Sequence, residues 1–200
     1  MRDVEPPFVD CPAGVSVGSD AGACSALVNP GTAGVSDNCP GARVGGVRSD
    51  GQPLGSAYPV GTTSIAWTAT DAAGGNASCV EMVTVADAEP PTVTGLSATP
   101  SVLWPPNHQM ADVTVAYGAG DNCGAVTTTL AVSSNEPIDG SGDGDTAPDW
   151  QIVDDHHVRL RAERSGHGSG RIYTIAVTAT DGRGGTTTRT VSVSVPHDKR

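Results

Sequence analysis

The sequence has few basic residues, few aromatic residues and no long apolar run, and each shortage excludes a class of protein. Its 200 residues include 11 Lys plus Arg against 22 Asp plus Glu, which gives a net charge of −11. This charge argues against a nucleic-acid partner and a polybasic membrane site, because phosphates and anionic lipids would repel it. No segment is apolar enough to span a bilayer. We therefore expect no nucleic-acid binding and no membrane insertion.

Aromatic residues are scarce, and helical patterning is absent. The chain has one Phe, three Tyr and three Trp, so its cores must be built mainly from Val, Ile, Leu and Ala. Small cores of this kind often need a covalent or metal staple. Apolar and polar residues alternate, with Ile65, Trp67 and Ala69 on one face of the segment 64–70. This period of two predicts an all-β fold with almost no helix.

The sequence contains an internal repeat. The Asp-Val-Glu-Pro-Pro segment at 3–7 returns as Asp-Ala-Glu-Pro-Pro at 87–91, 84 residues later. The Asp-Asn-Cys triplet at 37–39 returns at 121–123 with the same offset. Such self-similarity is typical of an array of modules.

The repeat predicts two domains, at residues 1–88 and 89–200. The second copy is longer, and we expect its extra residues to form an acidic Gly/Asp-rich insertion at about 124–170. Short alternating segments are separated by turn signals such as Asp-Ala-Ala-Gly-Gly-Asn at 71–76. This pattern favours two tandem Ig-like antiparallel β-sandwiches.

Cysteines are distributed unevenly between the two copies. The first copy has Cys11, Cys24, Cys39 and Cys79, and the second has only Cys123. Four cysteines in a small acidic β domain predict two disulfides and an oxidising compartment, with all three pairings open. We therefore expect a secreted or cell-surface protein. Cys123 has no cysteine partner in its own copy and would be a buried thiol or an intermolecular link.

The first copy carries a family signature in residues 3–88. The matching motifs are Glu5-Pro6-Pro7, Cys11-Pro12, Ala23-Cys24-Ser25-Ala26, Asp37-Asn38-Cys39, Pro59-Val60-Gly61-Thr62-Thr63, Thr68-Ala69-Thr70-Asp71-Ala72-Ala73-Gly74 and Cys79. In this order they resemble the hyalin repeat (HYR) family. The resemblance implies an Ig-like, disulfide-bonded domain associated with extracellular adhesion.

The second copy resembles a companion module of secreted bacterial multidomain proteins. The motifs that carry this resemblance are Leu103-Trp104-Pro105-Pro106-Asn107-His108, Ser134-Asn135-Glu136-Pro137, Leu160-Arg161-Ala162-Glu163-Arg164 and the acidic segment 142–150. In that pattern a second cysteine often follows the Asp-Asn-Cys triplet, but residues 124–130 contain none. Neither resemblance implies a catalytic mechanism, so we expect no enzyme activity and no organic cofactor.

An acidic loop in the second copy predicts a calcium site. The carboxylates of Asp139, Asp143, Asp145 and Asp149 are separated by Gly and Ser in most positions. Calcium takes six to eight oxygen ligands, and glycines let the backbone fold around the ion. Weaker candidate ligands nearby are Glu136 and Asp154. The alternative is a solvated acidic turn.

The repeated landmarks give a second, weaker set of candidate calcium ligands near the domain junction. This set comprises Asp87, Glu89, Asp121, Asn122 and Asp181. Asp37 and Asp71 occupy the corresponding loops of the first copy. Their oxygens could hold an ion at a loop or between domains. The alternative is ordinary turn capping, in which Asp and Asn side chains bond to nearby backbone amides.

The sequence as a whole favours a non-catalytic extracellular adhesion or spacer pair, stabilised by calcium and belonging to a larger protein. Its partners would be an extracellular protein or polysaccharide and the neighbouring domains of the same precursor. The alternative function is a carbohydrate-binding accessory module of a secreted hydrolase. In that case Trp104 and Trp150 would form a sugar-stacking platform, whereas buried indoles would count against it.

Overall fold

The computed structural model describes residues 3–138 and 147–198, and these residues form strands and no helix. This confirms the all-β prediction, and no described segment forms a helix able to cross a membrane. The strands are β1 (Phe8–Asp10), β2 (Val15–Gly18), β3 (Ser25–Ala26), β4 (Gly34–Ser36), β5 (Arg43–Arg48), β6 (Tyr58–Pro59), β7 (Gly61–Thr70), β8 (Asn76–Ala86), β9 (Thr92–Thr99), β10 (Met110–Gly120), β11 (Val126–Ser134), β12 (Trp150–Asp154), β13 (His157–Arg161), β14 (Gly170–Asp181) and β15 (Thr186–Pro196).

The chain divides into two compact units, Met1–Glu89 and Pro90–Arg200. In the first unit a four-stranded sheet has the order β2-β8-β7-β5, and two further pairs join β1 to β4 and β3 to β6. The pairing is antiparallel except between β2 and β8, which run parallel from Val15↔Val83. The N-terminal segment contributes two strands to different partners. Its β1 pairs with β4, and its β2 then pairs with β8 in the parallel direction.

The core of the first unit follows the alternation seen in the sequence. Ile65 and Trp67 of β7 point inward, and both are buried. The inward face of β8 carries a carboxylate as well as valines, since Glu81 is also buried. Glu81 Oε2 accepts a hydrogen bond from Trp67 Nε1 at 2.9 Å. The ring of Trp67 lies against Gly46, where an added Cβ would come within 2.7 Å of it.

The second unit is a sandwich of two sheets. One sheet has the order β12-β13-β10-β9, and the other has the order β11-β14-β15. Buried residues from both sheets meet between them, namely Val113, Val115, Val158 and Leu160 from the first sheet and Tyr173, Ile175, Val177, Val193 and Val195 from the second. The region expected to be an insertion contributes β11, β12 and β13 to these sheets. Much of it is therefore part of the sandwich.

The first unit contains a disulfide between Cys11 and Cys79, with a Cα–Cα distance of 5.9 Å. Cys24 and Cys39 are free thiols. This corrects the expectation that all four cysteines of the first copy would pair. Only one of the two predicted disulfides is present among the described residues.

The distance along β7 explains why Cys24 and Cys39 do not pair. The carbonyl of Cys24 accepts a hydrogen bond from the amide of Val60, just before β7 begins. Cys39 instead lies near Asp71, which follows the end of β7 and whose charge acts on the Cys39 thiol. A strand of ten residues spans about 30 Å. The two thiols therefore lie near opposite ends of the strand, far beyond disulfide reach.

Candidate cation site

The turn after β7 presents the carboxylate of Asp71 in a fixed orientation. Asp71 Oδ1 accepts hydrogen bonds from the amides of Ala73 at 2.7 Å and Gly75 at 2.9 Å. Asp71 is 8% exposed. Its Oδ2 lies so close to Gly75 that an added Cβ there would be 2.4 Å away. Turn capping was the alternative role for these loop aspartates. In Asp71 it uses only Oδ1, and Oδ2 is held in a fixed orientation without capping the turn.

Three other residues come together beside this turn. Ligand atoms of Asp3, Asp37 and Cys39 all lie within 4.8 Å of one another. Asp37 Oδ1 accepts the Cys39 amide at 2.7 Å, and Asp37 Oδ2 is buried with no hydrogen-bond partner. The sequence pointed to Asp37 and Asp71 as loop carboxylates but not to Asp3 or Cys39 as part of a cluster. Asp3 and Cys39 recur 84 residues later as Asp87 and Cys123, and this repetition could have identified them.

The electrostatics of this cluster favour a protonated thiol. The hydrogen bond from Cys39 to Asp3 raises the pKa of the thiol, and burial and the charges of Asp3, Asp37 and Asp71 raise it further. Among the described residues, no Lys, Arg or His forms a salt bridge with these three carboxylates. The cluster therefore concentrates negative charge that no described side chain neutralises. Hard cations such as calcium prefer such oxygen ligands, whereas a neutral thiol adds no charge.

The second unit repeats the local geometry with its own residues. Asp121 Oδ1 accepts the Cys123 amide at 2.7 Å. Asp181 Oδ1 accepts the amides of Arg183 at 2.7 Å and Gly185 at 2.9 Å. Asp121 Oδ2 and Asp181 Oδ2 are both buried without a hydrogen-bond partner. Each of the two aspartates thus has one oxygen committed to its loop and one left over, as in the first unit.

The remaining junction candidates are placed as follows. Asn122 lies between Asp121 and Cys123 in the loop after β10. Asp87 and Glu89 belong to the first unit, where Asp87 Oδ1 accepts the Glu89 amide at 3.2 Å. Glu89 Oε2 accepts the amide of Gly22 at 2.9 Å, while Asp87 Oδ2 is buried without a hydrogen-bond partner.

The predicted acidic loop is described only in part, because Asp139, Asp143 and Asp145 lie outside the described residues. The structure brings Glu136 and Asp149 together around the buried side chain of Arg171. Arg171 Nη1 lies 2.7 Å from Asp149 Oδ2, and its Nε lies 3.3 Å from Glu136 Oε2. A calcium ion at Asp149 would have to compete with this ion pair.

A third carboxylate, that of Glu163, also lies near the Arg171 guanidinium. Glu163 is fully buried, and its Oε1 lies 3.9 Å from Arg171 Nη1. Burial works to lower the pKa of Arg171, but the hydrogen bond to Tyr173 and the charge of Asp149 outweigh it and raise the pKa. The guanidinium therefore stays charged and holds the loop ends to β14. No sequence pattern indicated this role, although strand alternation places residue 171 on the buried face that also carries Tyr173.

Asp154, the other weak candidate, is the last residue of β12 and is exposed. Its Oδ1 accepts the His156 amide at 2.7 Å, and both its oxygens contact His157 Nδ1, at 2.8 and 2.9 Å. The hydrogen bond from the His156 amide lowers the pKa of Asp154, and the side chain of His157 lowers it further. Asp154 therefore stabilises its own turn.

The two tryptophans proposed as a sugar platform differ in environment. Trp150 packs against the core, with its ring edge-on to Tyr173 at a centroid distance of 6.3 Å. Trp104 is 40% exposed. Because Trp150 is committed to the core, Trp104 is the better placed of the two to meet a ligand.

Residues 2–85 match the family model described as HYR domain, which confirms the resemblance found in the motifs of the first copy. The solved structures similar to the chain include the protocadherin gamma B7 extracellular cadherin domains 1-4, with 15% identity, a TM-score of 0.41 and coverage of 95% of this chain and 49% of that one. The chain therefore spans about half the length of that protocadherin fragment.

Two other similar structures contain Ig-like or fibronectin-like modules. An I-band fragment of titin is 17% identical, with a TM-score of 0.34 and coverage of 97% of this chain and 66% of that one. The fibronectin(III)-like modules of Clostridium thermocellum CbhA are 19% identical, with a TM-score of 0.34 and coverage of 95% and 94%. TM-scores this low do not identify a function.

Proposed function

We propose that this chain is a non-catalytic pair of extracellular adhesion or spacer modules, stiffened by calcium and part of a larger secreted or cell-surface protein. The observation that carries the proposal is the cluster of Asp3, Asp37 and Cys39 in the HYR unit, whose thiol also feels the charge of Asp71. None of the carboxylates of Asp3, Asp37 and Asp71 forms a salt bridge with a Lys, Arg or His among the described residues. The HYR match supports an extracellular adhesion-type role.

Calcium is the cation that suits this cluster. The ion takes carboxylate and carbonyl oxygens at 2.3–2.6 Å in flexible geometry, and it does not need sulfur. Asp37 and Asp71 each hold one oxygen in a backbone hydrogen bond, which orients the other oxygen before any ion arrives. Because the carboxylates repel one another without an ion, binding should stabilise the folded unit.

The expected stabilisation follows from mass action. A ligand that binds only the folded form stabilises it by about 2.7 kcal/mol at 100 times its Kd. That amount is large for a small domain whose core has few aromatic side chains. In a modular protein the same ion would stiffen the module that bears force or presents a binding surface. Partners would be an extracellular protein or polysaccharide and the neighbouring domains of the same precursor.

The test is a thermal melt of the whole chain in 2 mM calcium and again in excess EDTA. We expect calcium to raise Tm, and we expect Asp37→Asn and Asp71→Asn to remove the rise, since each keeps a side-chain oxygen but loses the charge. Asp112→Asn is the matched control, because Asp112 is an exposed carboxylate that pairs with Arg159 on the second unit. Identical melts in calcium and EDTA would refute the calcium proposal.

Two further measurements locate the ion. The pair Asp143→Ala and Asp145→Ala tests the acidic loop separately, because a Tm rise lost only in these variants would move the ion there. Alkylation of Cys39 tests the first unit directly, since a nearby cation lowers a thiol pKa. We expect calcium to speed alkylation of Cys39 and to leave Cys24 unchanged.

A further inference from the structure

Trp104 is held by a fixed backbone although its indole faces solvent. It follows Leu103, which is 3% exposed and anchors the segment in the core. The Leu103 amide donates to the Ser194 carbonyl at 2.8 Å, and the Ser194 amide donates to the Ser101 carbonyl at 3.0 Å. These bonds attach the segment to β15. The backbone that carries the exposed indole is therefore held in place, which lowers the entropic cost of binding through it.

The indole forms the wall of a concave surface. A cleft of about 540 Å³ has Trp104, Ser169, Ser194, His197 and Asp198 in its lining. A second cleft of about 360 Å³ also has Trp104 in its wall. Both volumes fall within the range of small-molecule sites, which is roughly 300–1,000 Å³. Trp104 therefore offers a flat apolar face within a concave surface that has both polar and apolar neighbours.

The polar groups of the larger cleft are placed by their own contacts. His197 Nδ1 lies 3.1 Å from Asp198 Oδ2. The carbonyl of His197 accepts a hydrogen bond from Arg164 Nη2 at 3.0 Å, which ties the end of β15 to the segment before β14. The side chain of Asp198 remains 80% exposed. The lining of the cleft thus combines an indole and the apolar residues Val102 and Pro196 with a carboxylate, an imidazole and two serine residues.

This combination matches one ligand class. A hexopyranose has an apolar face of C–H groups that stacks on an indole, and its edge carries hydroxyls that both donate and accept hydrogen bonds. A carboxylate such as that of Asp198 accepts from two of these hydroxyls, and serine hydroxyls pair with others. The net charge of −11 and the carboxylate in the rim disfavour an acidic sugar.

We propose that the larger cleft of the second unit binds a neutral hexopyranose unit of a polysaccharide, stacked on Trp104 and hydrogen-bonded by Asp198 and Ser169. The site is independent of the calcium cluster of the first unit. It also differs from a platform of two indoles, because Trp150 packs against Tyr173. A module with this cleft would tether its parent protein to a neutral glycan.

The test is affinity electrophoresis of the full chain in gels that contain laminarin, hydroxyethyl cellulose or galactomannan, with polygalacturonate as the acidic comparison. We expect at least one neutral polysaccharide to retard the chain in excess EDTA as well as in calcium. Trp104→Leu keeps bulk and apolarity but loses the flat face, so we expect it to weaken binding about tenfold or more, while Trp104→Phe stays within about threefold. Phe8→Leu, at an aromatic residue that is 66% exposed in the first unit, is the matched control.

The outcomes separate this site from the calcium proposal. If none of the three neutral polysaccharides retards the chain, or if only polygalacturonate does, the glycan site is refuted. The calcium proposal is not affected by that result, because it is tested by the thermal melts. Equal binding by Trp104→Leu and the parent chain overturns the glycan site as well, and so does an equal loss in Phe8→Leu. Near-UV circular dichroism of each variant confirms that the compared chains are folded. If Trp104→Leu does not fold, Asp198→Asn replaces it, with an expected loss of about threefold or more.

Discussion

Breaking the Cys11–Cys79 disulfide should destabilise the first unit more than any single side-chain deletion in it. The bond joins the segment after β1 to β8 across a sequence separation of 68 residues. It therefore closes a loop that contains β2 to β7. Because this loop makes up most of the unit, breaking the disulfide increases the conformational entropy of most of the unfolded chain.

The magnitude follows from loop-closure entropy. For a closed loop of this length the chain-entropy relation gives roughly 4 kcal/mol at 25 °C. Small domains are stable by about 5–15 kcal/mol in total, so the loss would take a large share of the stability of the unit. The second unit has no disulfide among its described residues, and its stability should not change.

The measurement is hydrogen exchange with mass spectrometry on the whole chain, comparing the parent protein with the double variant Cys11→Ala/Cys79→Ala. We expect amides of β7 to exchange up to about 1,000-fold faster in the variant, and amides of β14 to be unaffected. Reducing agent should move the parent chain to the same result and leave the variant unchanged. An acceleration in β7 below about fivefold, or an equal acceleration in β14, would refute the reasoning.

Two further predictions concern packing and charge, both read from urea unfolding. Gly46→Ala should destabilise by about 1–3 kcal/mol because its Cβ meets an indole ring at 2.7 Å, whereas Gly45→Ala, which meets nothing within 4 Å, should be neutral or slightly stabilising. A similar effect of both changes would contradict this packing account. Arg171→Met should cost about 3–5 kcal/mol because it leaves buried carboxylates unpaired, whereas Arg159→Met, at an exposed pair, should cost at most about 1 kcal/mol. Equal losses at the two arginines would contradict the buried-network assignment.

The strands and turns that could be predicted were predicted mainly from local patterns in the sequence. The alternation around Ile65 and Trp67 identified the buried face of β7, because side chains on a strand alternate with a period of two. The turn signal that begins at Asp71 identified the turn between β7 and β8, because this aspartate caps backbone amides within four residues. These features depend on residues close together in sequence. They were therefore accessible without the fold.

Partners distant in sequence were not accessible in this way. Nothing in the sequence selects Cys79 over Cys24 or Cys39 as the partner of Cys11, since each choice closes an acceptable loop. The spacing of acidic residues at 139–149 suggested a cage of carboxylates, yet Asp149 pairs with Arg171, whose charge no spacing rule anticipates. A carboxylate can take either a cation or an arginine, and only its neighbours decide between them.

The sequence by itself determined that this protein is all-β, repeated, acidic and HYR-like in its first copy, because composition, period and motif order are properties of the chain. The tertiary structure decided which groups meet. Asp3 and Asp37 lie beside Cys39 in the fold. Trp104 is exposed, whereas Trp150 packs against the core. The physical reason is that strand periodicity fixes the side on which a residue points, whereas its contacts depend on how strands far apart in sequence are paired.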